Sequence, residues 1–223
     1  MAADAAGIPQ VKVCGLTRVE QAVGCAEAGA DAIGCVFYPK SPRNVSESLA
    51  REIFTALPLR TARVGVFVDE SADHMLRIAE SCGLTTLQLH GRETPETVSR
   101  LMLAGFQVIK GLYTAKDPRI DRAGDYPATV FLVECGKGPL PGGNAESWHW
   151  GDVREFGETH PLILAGGLSP ENVAEAIASA RPDAVDVSSG VEDSPGNKNL
   201  DKVAAFIAAV QKCTVSRTLR RIF

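Results

Sequence analysis

The chain has 223 residues, 45% of them hydrophobic and 22% charged, with a formal net charge of −4 and a pI near 5.6. A chain of this length buries about three-quarters of its unfolded surface and needs no staple for its core, while its acidic balance argues against a nucleic-acid surface and leaves a small anionic substrate open. The six cysteines form no CxxC pair, the start MAADAAGIPQ lacks a secretion signal, and no apolar run reaches the ~18 residues of a membrane span, so reduced thiols and a cytoplasmic protein are expected.

The first short apolar run is 11–14 (VKVC), closed by Gly15. Residues 18–29 (RVEQAVGCAEAG) follow with apolar side chains at helical spacing and Gly29 where a C-cap belongs. A second strand, 32–37 (AIGCVF), leads through YPKSPR to a helix at 46–57 that opens on Ser46 and stops before Pro58. The third strand, 63–68 (RVGVFV), ends at Asp69 and precedes a helix at 71–82, bounded by Ser71 and Gly83. The fourth, 86–89 (TLQL), is followed by His90 and by a helix at 94–104 with Pro95 at its first position, where a missing N–H costs nothing. Strands at 107–112 (QVIKGL) and 130–135 (VFLVEC) come next, then a less regular helical stretch at 150–158 interrupted by Gly151 and Gly157. Strands at 162–165 (LILA) and 184–187 (AVDV) flank a helix at 169–180, and 200–212 (LDKVAAFIAAVQK) forms an amphipathic last helix.

Strands alternating with helices imply parallel βαβ units with right-handed crossovers. Eight units at this length close into a single (βα)8 TIM barrel. The competing architecture, a doubly wound open sheet, would want GxGxxG after the first strand, and CGLTRVE does not supply it. With no linker or composition break, residues 1–223 are expected to form one domain, with an N-terminal extension of 8–10 residues and a basic tail from about 213 (TVSRTLRRIF) that the sequence does not place.

Such barrels carry their chemistry at the carboxyl ends of the strands. Those ends hold Cys14, then Phe37 and Tyr38, Asp69, His90, Lys110, Glu134, the pair Gly166 and Gly167, and finally Asp186 with Ser188, Ser189 and Gly190. Glycine-rich loops after the seventh and eighth strands suit a phosphate, because backbone N–H groups can approach its oxygens and a helix start adds positive potential. Taken singly, GG and SSG could be tight turns and nothing more.

Six stretches in order, CGLT, YPKSPRNV, GVFVDE, LQLHG, LAGGLSPENV and DVSSGVE, resemble phosphoribosylanthranilate isomerase of tryptophan biosynthesis over residues 11–210. The resemblance implies a (βα)8 barrel that performs an Amadori rearrangement by general acid and base, with no metal and no cofactor. It implies Cys14 as base and Glu134 as acid, where the family carries an aspartate. It further implies Arg43 on the anthranilate carboxylate, and His90 and Asp186 on the sugar. Gly166, Gly167, Ser188, Ser189 and Gly190 would hold the phosphate. Each also has a plain structural role open to it: a solvated arginine, a packed histidine, a hydrogen-bonding hub. Phe37 could wall the aromatic ring or pack in the core, and Asp69 could cap the following helix.

The loop GGNAESWHW (142–150) departs from the family pattern: Ala145 stands for glycine, Glu146 for lysine and His149 for aspartate. The expected partner is a small phosphosugar, with no nucleic acid and no membrane; monomer and homodimer both stay open. Three other functions compete. One is a metal-dependent pentose-phosphate epimerase, disfavoured because only His90 among four histidines ends a strand. The others are a paralogue with an altered sugar-phosphate substrate and a non-catalytic binding protein that keeps the phosphate cradle.

Overall fold

The structure, a computed structural model, describes residues 7–137 and 148–223. The expectations for Gly142, Gly143, Ala145 and Glu146 lie outside the described residues. Eight parallel strands pair in chain order: β1 (Gln10–Cys14), β2 (Ala32–Phe37), β3 (Ala62–Phe67), β4 (Thr86–Leu89), β5 (Gln107–Tyr113), β6 (Val130–Glu134), β7 (Leu162–Leu164) and β8 (Ala184–Val187). β8 pairs back onto β1 through Lys12 opposite Asp186, which closes the barrel and excludes the open sheet. The strands read as near-continuous apolar runs because both their faces are covered. Their period of two still divides them. Val11 and Val13 join the cluster under the helices, while Lys12 and Cys14 turn into the lumen.

Around the barrel run α1 (Val19–Glu27), α2 (Glu47–Ala56), α3 (Ala72–Cys82), α4 (Pro95–Leu103), α5 (Arg154–Thr159), α6 (Val173–Ala180) and α7 (Leu200–Gln211). Ser46, Ser71, Thr94 and Asn199 cap α2, α3, α4 and α7, each accepting from a backbone N–H of the first turn. In α7 the buried positions are Val203, Phe206, Ile207 and Val210, the i, i+3, i+4, i+7 stripe of a helix lying on a sheet.

The strict alternation expected from the sequence fails between β5 and β6. That connection carries a 3-10 turn over Ile120–Asp125 and no α-helix. Pro118, Gly124 and Pro127 break the segment too often for four-residue hydrogen bonding to propagate. The expected helix at 150–158 is a 3-10 turn at Trp150–Val153 running into α5, and the one at 169–180 begins only at Val173.

The tail closes the barrel from below. Gly7 and Val215 form an antiparallel bridge, and the Gln10 side chain exchanges hydrogen bonds with the backbone of Ile222 and Phe223. Arg217 and Arg220 both reach the fully buried carboxylate of Asp183. Arg220 also donates to the carbonyls of Gly157, Glu158 and His160, the unpaired end of α5. Ile222, 4% exposed, joins the lumen cluster of Ala32, Val64, Ile109, Val130 and Ile163. Arg217 and Arg220 of the tail are thus ion-pair and capping groups. No helix among the described residues is long and apolar enough to cross a membrane.

Candidate active site

Cys14 is the last residue of β1 and is 7% exposed. Two residues back, on the same face, Lys12 is fully buried, with its Nζ 2.7 Å from Asp186 Oδ1 on β8. The Lys12 and Cys14 side chains lie beside each other: a Cβ at Gly34 would meet both Cys14 Sγ, at 2.9 Å, and Lys12 Cε, at 3.3 Å. Burial pushes the Cys14 thiol up; Lys12 pulls it down, Asp186 pushes it up again, Lys198 pulls it down, and the balance stays above the ordinary thiol value. A nearby positive charge can lower a thiol; Lys12 is such a charge, and burial outweighs it. Lys12 goes the other way from a typical buried lysine: burial opposes its charge, but Asp186 and Cys14 raise it overall. All six cysteines are free thiols, and Cys14 ends β1 at the barrel mouth.

Arg43, from the loop after β2, is 6% exposed, so the solvated-arginine alternative does not hold. Its Nε and Nη2 fork onto Glu192 at 2.9 and 2.6 Å, a geometry that only a planar guanidinium offers. Glu192 starts a small antiparallel hairpin, β9 (Glu192–Ser194) and β10 (Asn197–Lys198), that follows β8. Lys198, also buried, lies 2.7 Å from the same carboxylate. Burial opposes the Glu192 charge, but Arg43 and Lys198 hold its carboxyl below the usual range. Two cations share one carboxylate, so the trio retains one net positive charge. Gly15 makes room for it: at φ +79°, a Cβ there would fall 2.5 Å from the Arg43 side chain.

Across the lumen, Glu134 ends β6 and His90 follows β4; each is 7% exposed. His90 Nε2 lies 3.5 Å from Glu134 Oε1, which accepts no hydrogen bond from the described residues. The other ring nitrogen of His90 contacts Gln88 Nε2 at 3.1 Å, and the His90 carbonyl accepts from Tyr113 at 2.7 Å. Beneath them Glu93 accepts from the backbone N–H groups of Asp69 and Gly91 and pairs with Lys110 at 2.7 Å. Lys110 is therefore not at a strand end. β5 continues to Tyr113, and Lys110 sits mid-strand, fully buried and bonded to Glu93. Asp69 does not cap α3, because Ser71 does; its own carboxylate accepts from the Arg92 N–H and ties two loops together. Phe37 packs on the core, with its ring stacked 5.1 Å from Phe67.

The loops after β7 and β8 close on each other. Gly166 and Gly167 both take positive φ, 90° and 68°, and Gly190 lies so close to the Leu168 carbonyl that no side chain fits. Ser188 bonds the Cys14 carbonyl at 3.0 Å and accepts Lys198, while Ser189 opens a 3-10 turn over Ser189–Val191. Trp148 and Trp150 donate to the carbonyls of Ala165 and Gly166, which draws the chain after β6 onto the same rim. A Cβ at Gly166 would lie 3.2 Å from Glu134 Cβ, so a side chain there would press on Glu134. His149 is exposed and paired with Asp152.

One rim of the barrel thus gathers Cys14, Arg43, His90, Glu134, Asp186 and the two glycine loops. Sequence inspection passed over Lys12, Glu192, Lys198 and Glu93. For Lys12 a signal was present: a lone charge inside an apolar strand, in step with Cys14. Lys198 and Glu192 lie on a hairpin that no pattern announced. Among the described residues, no group of three or more His, Cys, Asp or Glu side chains could hold a metal ion.

A family model described as N-(5'phosphoribosyl)anthranilate (PRA) isomerase matches residues 11–209. The N-(5'-phosphoribosyl)anthranilate isomerase of Desulfatibacillum aliphaticivorans is 49% identical over 214 residues, 96% of this chain and 98% of that one. The crystal structure of phosphoribosyl anthranilate isomerase from Thermotoga maritima superposes with a TM-score of 0.85 at 39% identity, over 92% of this chain and all of that one. A further structure of such an enzyme, in complex with reduced 1-(o-carboxyphenylamino)-1-deoxyribulose 5-phosphate, gives a TM-score of 0.82 at 38% identity, over 92% of this chain and all of that one.

Proposed function

The chain belongs to the N-(5'-phosphoribosyl)anthranilate isomerase family, and from that premise we propose that Cys14 is the general base and Glu134 the general acid of the rearrangement it catalyses. The reaction is an aldose–ketose isomerisation, an intramolecular oxidation and reduction, in tryptophan biosynthesis. Glu134 gives its proton to the ring oxygen of the ribose as the bond from that oxygen to C1 breaks. The nitrogen pair forms an iminium. Cys14 then takes the C2 proton, and the electrons left behind neutralise the nitrogen, giving an enolamine that tautomerises to the ketose. The substrate nitrogen is itself the electron sink.

Cys14 and Glu134 end strands that stand three positions apart round the barrel, which suits an acid and a base on different sides of one sugar. Burial disfavours the Cys14 thiolate, and the positive iminium offsets that burial once the ring has opened. The order of steps follows: acid first, base second. His90, 3.5 Å from the Glu134 carboxyl, is placed to orient it and to meet a sugar hydroxyl. Asp186 keeps one oxygen for the sugar while Lys12 holds the other. Arg43 presents Nη1 to the anthranilate carboxylate, drawn there by the net positive charge of Arg43, Lys198 and Glu192. Gly166, Gly167, Ser188, Ser189 and Gly190 take the phosphate. The substrate class is a phosphosugar, consistent with the analogue bound by a relative. Six unpaired thiols suit a reducing cytoplasm.

The observation that carries this assignment is the shared rim: thiol, carboxyl and two glycine loops open on one mouth. The test is a fluorescence assay of phosphoribosylanthranilate loss with purified protein, comparing wild type with Cys14→Ala. Turnover in the variant should fall to background. Undiminished turnover would remove Cys14 from the mechanism.

A further inference from the structure

We propose that Lys12 is a positioning residue for the base, easing ionisation of the Cys14 sulfur against its burial while it fixes Asp186 toward the sugar. The proposal rests on Cys14 acting as the base. A lysine with no exposed surface inside a barrel is costly unless paired, and well-packed apolar side chains would fill the same space at no such cost. Its pairing is with Asp186, at 2.7 Å, directly below the rim. A second observation comes from β2. A Cβ at Gly34 would lie 2.9 Å from Cys14 Sγ and 3.3 Å from Lys12 Cε, so the missing side chain lets sulfur and ammonium share one pocket.

The charged and titratable groups facing Cys14 are Lys12 on its own strand, Asp186 on β8, Lys198 on β10 and the Cys35 thiol on β2. Lys198 is already divided between Glu192 and Ser188. Lys12 is the cation that does most to offset the burial of the thiol. Lys12 and Asp186 cancel, and the thiolate and the iminium cancel, so these four groups together carry no net charge. When the C2–H bond breaks and the S–H bond forms, the electron pair moves to the iminium nitrogen and Lys12 keeps its proton throughout.

The experiment is alkylation of Cys14 by iodoacetamide at pH 8, followed by peptide mass spectrometry, with the partly buried Cys213 as internal reference. Lys12→Gln keeps a donor for Asp186 but removes the charge. It should slow Cys14 alkylation about tenfold, the change expected for one pH unit of lost thiolate. Its kcat should fall by a similar factor with KM little changed, and Lys12→Arg should recover most of both. Wild-type alkylation of Cys14 in Lys12→Gln would overturn the proposal. If Lys12→Gln does not fold, Lys12→Gln/Asp186→Asn is compared with Asp186→Asn: slower alkylation in the double variant supports the proposal, and equal rates overturn it. Alkylation needs no turnover, so failure of the base assignment would be seen separately, as undiminished turnover in Cys14→Ala.

Discussion

In a Glu134→Asp variant the carboxyl would withdraw by about 1.5 Å, one C–C bond, from a position where it lies 3.5 Å from His90 Nε2. The backbone has little freedom to follow, because β6 is locked between β5 and β7. Proton transfer needs heavy atoms within about 2.6–3.2 Å, and a misplacement of about 1 Å costs on the order of a hundredfold. The variant should therefore lose about 10²-fold in kcat, about 2.7 kcal/mol of transition-state stabilisation. KM should change little, since the two glycine loops are untouched. Stability should drop by no more than about 1 kcal/mol, the worth of one buried methylene. Steady-state fluorescence assays of the two proteins under the same conditions decide the matter. A kcat equal to or above wild type, or a loss confined to KM, would show that the glutamate arm is not the fitted acid of this site.

The pH dependence should carry the mark of a buried base. A base works when deprotonated and burial raises Cys14, so kcat/KM should climb with pH and its rising limb should lie above the usual thiol value of about 8.5; a plateau already reached at neutral pH would contradict this. At the opposite end of the barrel, Ile222→Ala should cost about 2 kcal/mol, the low end for an isoleucine truncation because the site lies at the chain's end and can partly relax. That corresponds to a fall in Tm of about 4–8 °C for a chain of this size, with kcat unchanged, and a Tm within about 1 °C of wild type would show that the tail does not hold the floor.

The barrel was legible because its information is local and repeated. Each strand is a short apolar run ended by glycine or a polar residue, and Ser46, Ser71 and Thr94 announce helix starts through their own hydrogen bonds. The β5–β6 connection was misjudged because alternation was extended across a segment whose prolines and glycine forbid a helix. Lys110 was misplaced because apolar pattern locates a strand better than it locates the strand's end. The ion pairs that organise the mouth join residues 174 and 149 positions apart, Lys12 with Asp186 and Arg43 with Glu192, and no local pattern encodes such distant partners. The basic tail was unreadable for the same reason: its meaning depends on Asp183, which looks like any turn aspartate until the fold buries it.

With Ile222 seated in the lumen and the arginines of the tail anchored beneath it, the described residues close the lower end and leave the mouth as the doorway. Substrate must enter and ketose must depart through the same opening, one molecule at a time. Accumulated product therefore blocks that passage in direct competition with fresh substrate, and flux through the enzyme depends on how promptly the following reaction clears it.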